Sequence, residues 1–109
     1  MTEYVQVVTT TDSKNQAATM AQRLVESRLA ACAQIIGPIS STYWWKGKIE
    51  TDNEWMCIFK TRNDLYQDLE RVIREIHPYE VPEIIAIPIV TASNAYLDWL
   101  GKELRPRSG

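Results

Sequence analysis

The stretch Ser41-Thr42-Tyr43-Trp44-Trp45-Lys46-Gly47-Lys48-Ile49-Glu50 decides how this 109-residue chain folds. Lys46-Gly47 is a tight-turn signal between two long strand-like runs. On its near side Ile35, Ile36 and Ile39 lead into Tyr43, Trp44 and Trp45, with a bulge or bend expected at Gly37-Pro38. On its far side Lys48 to about Thr61 returns, with Trp55, Cys57 and Phe59 on one face and Met56 and Ile58 on the other. A two-residue turn sets Tyr43 opposite Glu50, Ile39 opposite Glu54, Ile35 opposite Ile58 and Cys32 opposite Thr61. Cys32 and Cys57 then lie about 13 Å apart, beyond the roughly 7 Å that a disulfide spans. No intrachain disulfide is expected, and both cysteines read as reduced, small apolar residues.

Arms of about 14 residues reach roughly 45 Å, twice the length of an ordinary strand. A hairpin of that length must bend sharply or project beyond the body. Its tip carries Tyr43, Trp44 and Trp45, and aromatics projecting from a monomer mark an interface.

Moving outward toward the N-terminus, Val5, Val7 and Val8 with Thr9, Thr10 and Thr11 make a first strand. Asp12 or Ser13 offers a helix N-cap. Ala17, Met20, Ala21, Leu24, Val25 and Leu29 then recur at helical spacing. Toward the C-terminus, Asn63 or Asp64 is placed to cap a second helix with the stripe Leu65, Leu69, Val72, Ile73 and Ile76. Pro78 ends it. The connector His77-Pro78-Tyr79-Glu80-Val81-Pro82-Glu83 is held extended at both ends by its prolines. Ile84 to Val90 reads as a strand buried on both faces, with Pro88 confining it to an edge or a bulge. Ser93 or Asn94 caps a last helix with Tyr96, Trp99, Leu100 and Leu104, and Leu104 to Gly109 reads as a tail.

The order β-α-β-β-α-β plus a helix is the split βαβ signature, an α+β, ferredoxin-like sandwich in one domain over residues 1–109. This topology places strands one and three centrally and strands two and four at the edges. Strand two is over-long and strand four is apolar, including Ile87, so both edges suit a neighbouring copy better than water. Self-association into a closed homo-oligomer is expected.

Composition narrows the function. The net charge is −2 and the 12 Lys and Arg are scattered, which argues against nucleic acid or an anionic membrane as partner. No apolar run approaches the roughly 20 residues of a membrane span. Met1-Thr2-Glu3-Tyr4-Val5 has no basic leader pattern, and the expected location is cytoplasmic.

His77, the single histidine, sits at a helix C-terminus, where it either supports the helix dipole or serves as a metal ligand or acid/base group. Glu80 and Glu83 form an acid/base pair or, more simply, a salt-bridging group and a solvated strand start. Tyr79 between prolines reads as a packed aromatic with a bonded hydroxyl. Lys60 is a functional cation or a solvated strand end. Trp44, Trp45 and Trp55 stack a ligand or pack between subunits. No nucleophile with a partnered base and no Gly-rich phosphate loop is visible, so no enzyme is expected.

Several stretches taken together closely resemble the CutA family of divalent-cation tolerance proteins, over nearly the whole chain. They are Leu29-Ala30-Ala31-Cys32, the hairpin Ser41 to Glu50, Lys60-Thr61, the connector His77 to Glu83, and Tyr96-Leu97-Asp98-Trp99-Leu100. The resemblance implies a ferredoxin-like subunit in a tight homotrimer whose hairpins embrace their neighbours. It also implies a link to copper and other divalent metals, with Cu(II) or another divalent ion as the cofactor to look for. The resemblance extends to the trimeric signalling proteins of the PII type, whose ligands bind between subunits. Family members with a copper site carry a Cys at the end of strand one and two adjacent His before Pro-Tyr. Here those positions hold Thr9, Ile76 and His77, so only His77 matches, and Thr is a poor ligand for soft copper.

The resulting expectation is a non-enzymatic trimer associated with divalent-metal tolerance. His77 would be the metal ligand, Tyr79, Glu80, Lys60 and Glu83 would line an inter-subunit cleft, and Tyr43, Trp44, Trp45 and Ile87 would lie in the interface. The alternative is a PII-like signalling module that binds a small molecule or protein and has no direct metal role.

Overall fold

The computed structural model describes residues 2–107; Met1 and the last two residues of the expected tail, Ser108 and Gly109, lie outside the described residues. The elements run β1 (Tyr4–Thr11), α1 (Lys14–Glu26), β2 (Cys32–Trp45), β3 (Lys48–Arg62), α2 (Tyr66–Ile76), β4 (Ile84–Pro88) and α3 (Asn94–Glu103). The four strands form one antiparallel sheet in the order β2-β3-β1-β4. This is the expected ferredoxin-like βαββαβ arrangement with an added C-terminal helix.

Local chemistry accounts for most of the boundaries. Ser13 caps α1 by accepting from the Gln16 amide at 3.2 Å, and Ser93 caps α3 by accepting from Tyr96 at 3.2 Å. The helix α1 stops at Glu26, earlier than the apolar spacing suggested. Arg28 takes a left-handed φ of 58°, and the Leu29 and Ala30 amides fold back onto the Leu24 carbonyl. Leu29 is buried through that turn rather than through the helix. Lys46 and Gly47 both have positive φ, 50° and 78°, the type I′ geometry that matches strand twist in a two-residue hairpin.

The hairpin register holds as expected from Trp45 opposite Lys48 through Ile39 opposite Glu54. Below that point one extra residue enters β2 between Ile36 and Ile39, so Ile35 pairs with Cys57 and Cys32 with Lys60, not with Ile58 and Thr61. Gly37 sits in this irregularity because a Cβ there would lie 2.4 Å from Trp55 Cδ1. Both cysteines are free.

Three further expectations are corrected. Neither Asn63 nor Asp64 caps α2; a 3-10 turn, Asn63–Leu65, precedes it, and the Asp64 carboxylate instead accepts from Arg62 Nε at 2.5 Å. The last apolar run is a strand only to Pro88, and none of its five residues is buried in this chain: Ile84 is half-buried and Ile85, Ala86, Ile87 and Pro88 are exposed. The expected tail is tied down as far as it is described: Arg105 N–H donates to Arg28 O at 3.0 Å, and Arg62 reaches the Arg105 carbonyl at 2.9 Å.

Strand alternation splits the sheet into two faces. Val5, Val7, Cys57 and Phe59 belong to the core that Met20 and Leu24 of α1 and Leu69 and Ile73 of α2 close. On the opposite face α3 covers only the end near Tyr4 and Lys60. The Lys60 Nζ lies 5.4 Å from the Tyr96 ring centroid, and the Tyr4 hydroxyl lies against Gly101. The rest of that face carries Ile36, Met56, Ile58, Ile85 and Ile87. The hairpin projects, giving a molecule 45 × 26 × 21 Å across.

Candidate functional site

The connector starts where α2 must stop. The His77 amide closes the helix onto Ile73 O at 2.8 Å, and its backbone then turns extended, as a residue before proline requires. The imidazole is buried. Its Nε2 lies 2.7 Å from the Thr10 carbonyl, and its Nδ1 is 3.1 Å from the Tyr79 amide nitrogen. A carbonyl only accepts and an amide N–H only donates, so the ring proton is assigned to Nε2 and the Nδ1 lone pair is used by Tyr79. His77 thereby ties the end of β1 to the connector and orients Tyr79, whose ring centroid lies 4.6 Å away at a 58° tilt.

Tyr79 passes the order on. Its hydroxyl donates to Glu54 Oε2 at 2.7 Å. Burial pushes the Tyr79 phenol up from its usual 10.0, and the hydrogen bond to the Glu54 carboxylate pushes it further. Glu54 is only 7% exposed, in the middle of β3 and on the sheet face away from α1 and α2. On the hairpin side, the Tyr43 hydroxyl donates to Asp52 Oδ2, which raises that phenol to about 12.

Between connector and hairpin lies a cavity of about 640 Å³. Tyr43, Trp44, Trp45 and Tyr79 supply aromatic walls, Glu54, Glu80 and Glu83 carboxylates, and Thr10, Ser41 and Thr42 hydroxyls. Six residues named from the sequence thus converge here: Tyr79, Glu80, Glu83, Tyr43, Trp44 and Trp45. His77 stands behind the cavity wall, positioning Tyr79. Lys60 does not join them; six residues along β3 put it about 20 Å from Glu54, under α3. Ile87 lies on the open part of the sheet.

The residue that sequence reasoning missed is Glu54. A signal existed: alternation along β3 puts it in one row with Met56 and Ile58, and a carboxylate in an apolar row needs a reason.

The divalent metal that the resemblance implies does not fit at His77. Both ring nitrogens are engaged within the chain. Thr9 is fully buried with its hydroxyl inside the core, and Ile76 has no donor atom. Among the described residues no group of three or more His, Cys, Asp or Glu is placed to hold a metal ion. Cys57, the nearest soft ligand to Thr9 across the ladder, is buried, and burial pushes its thiol from 9.0 to about 11.

Comparison with known proteins agrees with the topology. The family model for the CutA1 divalent ion tolerance protein matches residues 5–103. The divalent-cation tolerance protein CutA of Thermus thermophilus is 42% identical over 94 residues, 86% of this chain and 91% of that protein. The chloroplastic Protein CutA 1 of Oryza sativa is 39% identical over 99 residues, 91% of this chain but 56% of that longer protein. Among solved structures, the periplasmic divalent cation tolerance protein CutA of Archaeoglobus fulgidus superposes with a TM-score of 0.91 at 36% identity, covering 94% of this chain and 99% of that one. By sequence and by fold, the chain belongs to the CutA1 family of divalent ion tolerance proteins.

Proposed function

We propose that the protein acts as a non-enzymatic homotrimer in the cellular response to divalent metal ions, copper among them, and that it does so by binding a ligand in the cavity between connector and hairpin. One observation carries the assembly. Ile36, Ile85 and Ile87 stand 49%, 48% and 45% exposed on the half of the sheet that no helix covers, beside two open strand edges. At about 25 cal/mol per Å² of apolar area, burying that face against copies of itself is the plainest way to account for it. A closed ring of three satisfies every copy. The cytoplasm suits two free cysteines, and among the described residues no helix is long and apolar enough to cross a membrane.

The second reading, a PII-like module with no direct metal role, is favoured by the engagement of both His77 nitrogens within the fold. On that reading metal tolerance is an indirect effect of what the cavity binds.

Sedimentation equilibrium tests the assembly. The expected mass is three times 12.5 kDa, falling to one subunit in Ile87→Asp with the circular dichroism spectrum retained. A wild-type monomer overturns it. For the cellular role, a strain lacking the gene should grow worse than its parent on copper, and equal growth over a full dose range refutes the role.

A further inference from the structure

We infer that the cavity between hairpin and connector binds a small organic cation bearing N–H donors, an alkylguanidinium or primary ammonium, with Glu54 as its counter-charge. The inference rests on the ligand-cavity reading above.

Among the described residues the Glu54 carboxylate has no cationic partner. Side chains as deeply buried as Glu54 are ordinarily paired when charged, because removing an ion from water is costly without compensation. Among the described residues its one hydrogen-bond donor is the Tyr79 hydroxyl, on Oε2. Oε1 has none among the described residues, and Glu54 lines the cavity. No Lys or Arg lines that cavity. Arg62, on the same strand, is engaged with Asp64 and the Arg105 carbonyl.

The other lining groups point to the same ligand. Glu80 and Glu83 add two more negative charges at the mouth, so an anion is repelled. Both phenols are already spent as donors, Tyr79 on Glu54 and Tyr43 on Asp52. The cavity is therefore rich in acceptors and short of fixed donors, which suits a ligand that brings several N–H groups. The aromatic walls select for a diffuse charge on an apolar stem, since ring faces attract organic cations, tryptophan most strongly. Trp44, 71% exposed at the cavity wall, makes such a face available. The rim repeats the chemistry within the chain: Lys46 Nζ lies 5.8 Å from the Trp45 ring centroid.

A bare divalent ion suits the cavity less well, because ring faces offer it no donor atoms and three convergent ligands are not assembled among the described residues. The volume of about 640 Å³ lies within the range of small-molecule sites. The hydrogen bonds of His77 hold Tyr79 in place before any ligand arrives.

Isothermal titration of the full chain with butylguanidinium and its neutral isostere butylurea is the test, with Cu(II) alone as a third arm. Butylguanidinium is expected to bind saturably and butylurea at least about tenfold more weakly. Glu54→Gln is expected to cost butylguanidinium about tenfold or more and Trp44→Leu severalfold. Should Glu54→Gln fail to fold, Trp44→Leu, at an exposed position, carries the test. Equal binding of butylurea overturns the inference, as does butylguanidinium binding that neither substitution weakens. Binding of Cu(II) alone, dependent on Glu54, overturns the organic cation while leaving a ligand cavity in place. Absence of binding in all three arms overturns the organic cation. A wild type that binds no probe but loses its assembled mass in Glu54→Gln assigns the counter-charge to a basic side chain of a second copy, and overturns the free ligand.

Discussion

On one face of the sheet Val7, Cys57 and Phe59 of the central strands β1 and β3 lie shut beneath α1 and α2; on the other, Ile36, Ile85 and Ile87 of the edge strands β2 and β4 keep nearly half their surface in water. Both faces carry large apolar residues, and the difference is cover. Two amphipathic crossover helices seal one side, while α3 reaches only one end of the other. The stability of the single chain therefore resides on the sealed face. On the open face Val8 is buried within the chain, while the exposed Ile36, Ile85 and Ile87 make sense through something outside it. Glu54 sits on the open face, where the row that runs through Ile58 and Met56 meets the connector. The boundary between covered and uncovered sheet is where the cavity forms.

The sharpest way to break this comparison is to truncate one apolar side chain on each side to alanine. Phe59→Ala, on the sealed face, should cost about 3–5 kcal/mol in urea unfolding, since it loses transfer energy and leaves a cavity that packed neighbours cannot fill. Ile85→Ala, on the open face, should cost well under 1 kcal/mol when measured at dilutions that populate the single chain. Equal losses at the two sites would mean that the open face is covered within the chain itself.

The next largest effect is expected where the two arms of the hairpin change register. Gly37 leaves room for Trp55, and a methyl group there would meet the indole at 2.4 Å. Gly37→Ala should destabilise the chain by about 1–3 kcal/mol, the usual range for forced overpacking. The double variant Gly37→Ala with Trp55→Leu should recover part of the loss. Failure of any recovery would place the cost in the backbone instead of the ring contact.

What was legible in the sequence follows physical range. The order of elements, the turn at Lys46-Gly47 and the caps at Ser13 and Ser93 depend on neighbours a few residues apart, and they were readable. The register below Gly37-Pro38 was not, because a bulge shifts pairing by one residue without any change in alternation above it. The converging of Tyr43, Trp44 and Trp45 with Tyr79, Glu80 and Glu83 could be named residue by residue but not seen as one cavity. The role of His77 depends on the Thr10 carbonyl, 67 positions away, and that of Tyr79 on Glu54, 25 positions away. Such partners come from tertiary packing, which leaves no periodicity to read.

A smaller effect probes the boundary itself. Tyr79→Phe removes the hydrogen bond to Glu54 and should cost about 1–2 kcal/mol, moderated because water can enter from the cavity. The pH dependence supplies a second readout. The Tyr79 phenol is held above its usual 10.0 in the folded chain, so the unfolded chain gives up this proton first. Its contribution is present below pH 10 and is lost as pH rises above it. Wild type should therefore lose stability more steeply between pH 10 and 11 than Tyr79→Phe does. Parallel curves would show that the phenol is not held by Glu54 in solution.

The least effect is expected from the one flaw on the sealed face. Thr9 is fully buried between Cys57 and Ile84, and its hydroxyl has no hydrogen-bond partner among the described residues. A buried hydroxyl without a partner costs free energy that an isosteric methyl group does not. Thr9→Val keeps the β-branched shape that the strand prefers, and it should raise stability by about 1 kcal/mol or less. The sign carries the argument. A gain means that the sealed face is a pure packing surface, in which Thr9 serves as part of the core. A loss means that the hydroxyl finds a partner in solution, and the end of β1 would then have a polar role that the sealed face does not otherwise require.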